Sequence, residues 1–151
     1  MDNRQWNRSY SEIKNQYGAL YRSIAVHSGF SETQFRILYH LYLEEDSFMQ
    51  NELAERFCLS KQTVNSAIAK LNEMGLIRLD KGTTGKNSKL VSLTESGLQR
   101  CKERIMPLID AENNALSQMD DSEIHEFLRL YEMLYLKFES EISRLMKEDA
   151  R

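Results

Sequence analysis

The sequence predicts a mainly α-helical fold carrying one small β-hairpin. Three observations point there. Apolar residues recur at three- and four-residue steps over most of the chain, as amphipathic helices require. Helix breakers are scarce, with 1 proline and 6 glycines in 151 residues. Only between residues 77 and 93 does the period shorten to the two-residue alternation of strands.

The elements follow in order. Trp6, Tyr10, Ile13, Tyr17, Leu20, Tyr21 and Ile24 form one stripe on a first helix of about twenty residues, which Gly29 interrupts. Ser31 to Gln34 reads as a capping box opening a second helix, with Phe35, Leu38, Tyr39 and Tyr42 at helical spacing. The acidic run Glu44, Glu45, Asp46 ends it. A short third helix covers residues 50–57, with Leu53, Ala54 and Phe57 as its apolar face. Ser60 caps a fourth helix that runs from Lys61 to about Met74 and stops at Gly75, a favoured residue just past a helix end. Only Cys58, Leu59 and Ser60 connect the third and fourth helices, which makes a helix-turn-helix. Residues 77–81 and 89–93 alternate around a polar, glycine-bearing tip, so a hairpin with a long basic tip follows. From Thr94 the chain returns to helix. Leu98, Cys101, Ile105 and Leu108 form its stripe, and Pro107 should kink or break it. A second capping box at residues 120–123 opens a final helix of about 25 residues, marked by Ile124, Phe127, Leu128, Tyr131, Leu134, Tyr135, Phe138, Ile142 and Leu145.

Helix-turn-helix followed by hairpin is the order of a winged helix. The expectation is a single domain over residues 1–151, with the winged helix at about 31–97 between long helices at about 1–28 and 98–147.

Composition bounds the class. Apolar residues at 41% and charged residues at 28% fit a soluble globular chain. No 18-residue apolar run exists, so no transmembrane helix is expected. The first residues, MDNRQWNRSYSEIK, contain no apolar segment of the secretory kind. Cys58 and Cys101 make no disulfide framework, and a cytoplasmic protein is expected.

The net charge of −3 would argue against a polyanionic partner, but its distribution does not. Residues 1–60 carry 6 basic and 8 acidic side chains, residues 61–100 carry 7 and 3, and residues 101–151 carry 7 and 12. The basic middle coincides with the fourth helix and the hairpin. A local basic surface is what a polyanion meets.

Val64, Ala67, Ile68 and Leu71 give the fourth helix one apolar face. Gln62, Ser66 and Ala69 lie opposite, flanked by Thr63, Asn65 and Lys70. Short and amide side chains let a helix approach base edges closely, and Gln or Asn can pair bidentately with adenine. Lys61 and Lys70 can reach phosphates, which position a protein without specifying sequence. Lys81, Lys86 and Lys89 put charge on the hairpin. The expected partner is therefore double-stranded DNA.

Residues 59–77, LSKQTVNSAIAKLNEMGLI, and residues 89–97, KLVSLTESG, together resemble MarR-family winged helix-turn-helix regulators. The family's Leu-x-x-x-Gly-Leu-Ile/Val segment is matched by Leu71, Gly75, Leu76 and Ile77, and its Val-x-Leu-Thr-x-x-Gly segment by Val91, Leu93, Thr94 and Gly97. The resemblance implies a homodimer held by the terminal helices. It implies a pseudo-palindromic operator with half-sites about one turn, roughly 34–36 Å, apart, and a role most often as a repressor. It also implies a small aromatic or anionic effector, for which Tyr17, Tyr21, Phe35, Tyr39 and Tyr42 are the candidate lining. Two departures stand out. Many members carry Asp-x-Arg at the wing tip; here Gly85 and Asn87 occupy those positions, with Lys86 between them. Met49 stands where a capping Ser or Thr is common. The missing wing Arg keeps an alternative open, a winged-helix protein-interaction adaptor that binds no DNA.

Other chemistries find little support. His27, His40 and His125 are far apart, no Cys pair has zinc spacing, and no nucleophile–base pair or phosphate-binding glycine loop occurs. Neither an enzyme, a metal nor a cofactor is expected. Buried, inert thiols are the default expectation for Cys58 and Cys101, with Cys58, near Lys61 and a helix N-terminus, as the alternative candidate for a redox-active thiol.

Overall fold

The computed structural model describes residues 2–81 and 89–148. The elements in chain order are α1 (Asn3–His27), α2 (Glu32–Leu43), β1 (Phe48–Met49), α3 (Gln50–Arg56), α4 (Lys61–Glu73), β2 (Ile77–Lys81), β3 (Lys89–Leu93), α5 (Glu95–Arg104), α6 (Met106–Leu116) and α7 (Asp121–Glu148). The chain divides into two compact units, and the boundary falls after Ile109.

The first unit is a winged helix with α1 at its start. Its core is one apolar cluster. Ile37, Leu38 and Leu41 of α2, Leu53 of α3, Val64, Ile68 and Leu71 of α4, Ile77 and Val91 of the sheet, and Cys101 of α5 are all essentially inaccessible to solvent. The sheet is antiparallel with order β1-β3-β2. The hairpin strands cover the residues read from the sequence, although burial in β3 does not alternate, since Val91 and Ser92 are both buried. The third strand has no counterpart in that reading: β1 pairs Phe48 with Val91 and Met49 with Leu90, and two residues are too few to show a period.

Caps fix the helix boundaries. Ser31 and Gln34 form the reciprocal box at α2, with Ser31 N–H donating to Gln34 Oε1 at 2.8 Å and Gln34 N–H to Ser31 Oγ at 3.3 Å. Ser60 Oγ accepts the Thr63 N–H at 3.1 Å. At α3, the Met49 N–H donates to Glu52 Oε2 at 2.8 Å. Gly75 closes α4 at φ +70°, a conformation that needs no Cβ, and lets the Leu76 N–H reach the Leu71 carbonyl at 3.0 Å. Pro107 sits in the first turn of α6, where its missing N–H costs nothing, so the helix breaks between Arg104 and Met106 rather than bending.

In the second unit, Asp120 caps α7 through Oδ1 to the Glu123 N–H at 2.9 Å, and Glu123 Oε2 returns the bond to the Asp120 N–H at 3.0 Å. No side chain of the 28-residue α7 is buried.

Candidate nucleic-acid interface

α3, the turn at residues 57–60 and α4 form the helix-turn-helix. The turn closes as a helix end does: the Leu59 N–H reaches the Ala54 carbonyl at 3.1 Å while Cys58 adopts φ +51°. That geometry carries α4 away from α3 with Val64, Ala67, Ile68 and Leu71 buried. The opposite face is consequently in solvent. Lys61, Gln62, Thr63, Asn65, Ser66, Ala69 and Lys70 are all exposed. The thirteen-residue helix separates Lys61 from Lys70 by ~13 Å along its axis, so the two ammonium groups bracket the polar face. Thr63 is partly committed, its Oγ1 lying 2.8 Å from Ser60 Oγ.

One contact was not foreseen. Gln50, the first residue of α3, donates from Nε2 to Asn65 Oδ1 at 2.5 Å. The two amides lie fifteen positions apart across the turn, and no sequence periodicity links them.

At the hairpin, Lys81 and Lys89 are directly opposite in the β2–β3 register and both exposed. Like charges facing across a ladder repel, so the neck of the wing is a site that an anion would relieve. Arg78 is held by Asp80, Nε to Oδ2 at 3.2 Å. Lys86 and Asn87 lie outside the described residues.

Behind this face the helices are braced by cations on aromatic rings. Arg36 lies 4.5 Å over Phe57 and Arg56 lies 4.7 Å over Phe48. Arg56 also pairs with Glu44, and His40 Nδ1 is 3.1 Å from the same carboxylate. The hydrogen bond from His40, with the Arg56 pair added, holds Glu44 below its ordinary carboxylate value of 4.5, although partial burial opposes this.

The arrangement is a solvent-facing helix with short polar side chains, flanked by lysines, beside a lysine-necked hairpin. Residues 28–85 match the sequence model of the MarR family. Over that stretch the winged helix is similar to the MarR family.

MarR-family proteins are transcriptional regulators. The MarR likeness extends to solved structures beyond the matched residues. A MarR family regulator from Neisseria meningitidis superposes with a TM-score of 0.79 at 23% identity, over 95% of this chain and 99% of that one. NadR in complex with 4-hydroxyphenylacetate gives 0.68 at 16% identity, over 85% and 90%. MepR of S. aureus, in complex with DNA, gives 0.66 at 20% identity, over 86% and 96%. At these identities the likeness is one of fold. No curated protein matches the chain by sequence.

Among the described residues, the five aromatic side chains expected to line an effector cleft have different surroundings. Phe35 is in the core, Tyr39 packs edge-on against His40, and Tyr17 and Tyr21 stack at 6.5 Å on α1, Tyr17 being 61% exposed. Tyr42 does line a cavity of about 640 Å³, with Leu41, Ser92, Leu98, Arg78 and Lys102. Its hydroxyl donates to Met106 Sδ at 3.6 Å. Ser92 Oγ is buried there with no hydrogen-bond partner among the described residues. Among the described residues no group of three or more His, Cys, Asp or Glu side chains is placed to hold a metal ion, and no helix is long and apolar enough to cross a membrane.

Proposed function

We propose that this chain is a sequence-specific DNA-binding transcriptional regulator, acting in the cytoplasm as a homodimeric repressor of a pseudo-palindromic operator. The exposed polar face of α4 carries the reading. Burial of Val64, Ala67, Ile68 and Leu71 leaves Gln62, Asn65 and Ser66 on the solvent face, open to a major groove, with Lys61 and Lys70 at phosphate reach. Thr63 flanks this face. Lys81, Lys89 and, at the tip, Lys86 and Asn87 contact the backbone or minor groove beside it.

The homodimer is supported by apolar surface that a single copy leaves uncovered. Trp6, Ile13, Tyr17 and Leu20 of α1 are exposed, and so are the large apolar side chains of α7. A small aromatic or anionic effector releases the operator. A MarR-fold relative binds 4-hydroxyphenylacetate, and the cavity at Tyr42 has the volume of a small-molecule site, its wall carrying Arg78 and Lys102 beside Glu45, Asp46 and Glu95.

Selection of bound fragments by the purified full chain tests the reading. The expected result is an inverted repeat with half-sites about ten base pairs apart, centre to centre. A Gln62→Ala/Asn65→Ala/Lys86→Ala variant should lose that binding. Enrichment of no fragment would leave the protein-interaction adaptor in its place.

A further inference from the structure

We propose that Gln50 locks the carboxamide of Asn65 so that Asn65 meets DNA as a hydrogen-bond donor, selecting an acceptor edge, guanine first, at one position of each half-site. The inference rests on the DNA-reading role of α4 proposed above and names what part of that face recognises.

A free asparagine amide is ambivalent. It carries an acceptor and a pair of donors, and it turns about its last bond to offer either. Bidentate pairing with adenine uses both ends, donating to N7 and accepting from N6. Asn65 does not have that freedom. Its Oδ1 is engaged by Gln50 Nε2 at 2.5 Å, which turns the oxygen towards α3 and leaves the Nδ2 hydrogens on the other side of the amide.

Gln50 is itself well anchored. It follows directly on Met49, which pairs with Leu90 in the sheet, and it begins α3, whose first turn is closed by Glu52. Asn65 stands one position from the buried Val64 on α4, so its Cα is fixed by the core. Both ends of the clamp thus have rigid backbones, and the clamp sets only the torsion of the amide.

Two outward N–H groups suit an edge with two acceptors. In the major groove guanine shows N7 and O6, both acceptors, whereas adenine shows N7 beside the N6 donor. Thymine O4 and adenine N7 each offer one acceptor and rank below guanine, adenine lowest of the three because its N6 donor faces the second N–H. Against cytosine a donor faces the N4 donor and stays unpaired. Discrimination of roughly 5- to 100-fold at that base follows. Gln50 is a positioning residue here, since it acts through Asn65.

The test is selection from random duplexes by the full-length protein and three variants, read as base frequencies at each position. Wild type should prefer guanine at one position per half-site. Gln50→Ala should flatten that position by roughly 5- to 100-fold while the other positions keep their preferences. Asn65→Asp retains an acceptor for Gln50 and replaces the outward NH₂ by oxygen, so the preference should pass to cytosine, whose N4 donates. Gln50→Glu can only accept, so Asn65 must turn its Nδ2 inward and expose Oδ1, moving the preference the same way from the other partner. Two variants thus read one torsion, and a folding defect in either leaves the other. A wild-type motif left unchanged by Gln50→Ala, or guanine retained by both Asn65→Asp and Gln50→Glu, overturns the clamp. A wild type that selects no motif overturns the DNA reading beneath it.

Discussion

Gly97 and Thr94 show how a short motif becomes a requirement. A Cβ at Gly97 would lie 1.8 Å from the Leu76 carbonyl oxygen, a backbone atom with nowhere to go. Thr94 stitches the same region: its Oγ1 donates to the Gly75 carbonyl at 2.6 Å and accepts the Gly97 N–H at 3.0 Å. The two segments that carry the family resemblance are therefore one packed junction, where the end of α4 meets the start of α5. Gly97→Ala should destabilise the fold by ~3 kcal/mol or more, because overpacking against backbone cannot relax through a rotamer. Thr94→Ala should cost ~1–2 kcal/mol, the loss of a cap. Urea titration of both variants checks the order. Cys101 and Cys58 separate just as sharply. Burial pushes the Cys101 thiol up to about 12, whereas Cys58 is exposed in the turn. A thiol reagent at pH 8 should titrate one rapid equivalent in native protein and two after denaturation. Two rapid equivalents would mean that the α5 core opens readily. Glu44 gives the pH limb. Its folded value is depressed, so its contribution is complete above about 4.5 and fades as pH falls through the lower folded value. Glu44→Gln should therefore lower stability at pH 7, with the deficit shrinking towards pH 3 in urea melts.

At the scale of elements, what could be read from the sequence was what local chemistry decides. The stripes on α1, α2, α4 and α7 and the caps at Ser31, Ser60 and Asp120 each involve residues within four positions. The exposed face of α4 was legible for the same reason, since fixing Val64, Ala67, Ile68 and Leu71 inward fixes the remainder outward. β1 was not legible, because its two residues become a strand only through pairing with β3. Neither was Gln50, whose partner lies across the turn and whose amide orientation leaves no trace in composition. The surroundings of the aromatic residues were hard to read for another reason. Phe35 and Tyr42 sit at spacings that serve a core as well as a pocket, and the core took Phe35. The turn between α3 and α4 carries its own prediction. Cys58 holds φ +51° without being glycine, a left-handed conformation that costs an ordinary residue ~1–2 kcal/mol. Glycine relieves that strain and loses ~0.5–1 kcal/mol in chain entropy. Cys58→Gly should thus raise the melting temperature slightly, and a fall would show that the thiol side chain contributes packing of its own.

For the whole molecule, the acidic flanks and the basic middle answer different needs. The lysines of α4 and the wing neck stand where a polyanion would approach, while the flanking helices carry the compensating acid. Weak nonspecific DNA binding should follow, with affinity resting on base readout more than on bulk charge. The uncovered apolar surface makes the stronger demand. Ile124, Leu128, Tyr131, Tyr135, Phe138, Ile142 and Leu145 step along α7 by alternating intervals of four and three. That is the seam of a helix built to supercoil against another. From Leu128 to Leu145 these side chains are each 46–58% exposed. A helix derives most of its stability from packing such a face, so α7 needs a cover, and we assign that role to a second copy of the chain. Light scattering should then return twice the 17.7 kDa chain mass. Tyr131→Glu/Phe138→Glu puts two charges into the seam and should halve that mass. Separating the subunits would also abolish simultaneous engagement of two half-sites, so affinity for a full palindrome should fall by ~100-fold or more while affinity for one half-site holds. A wild-type chain already at 17.7 kDa, or a double variant that keeps twice that mass, would refute the assignment.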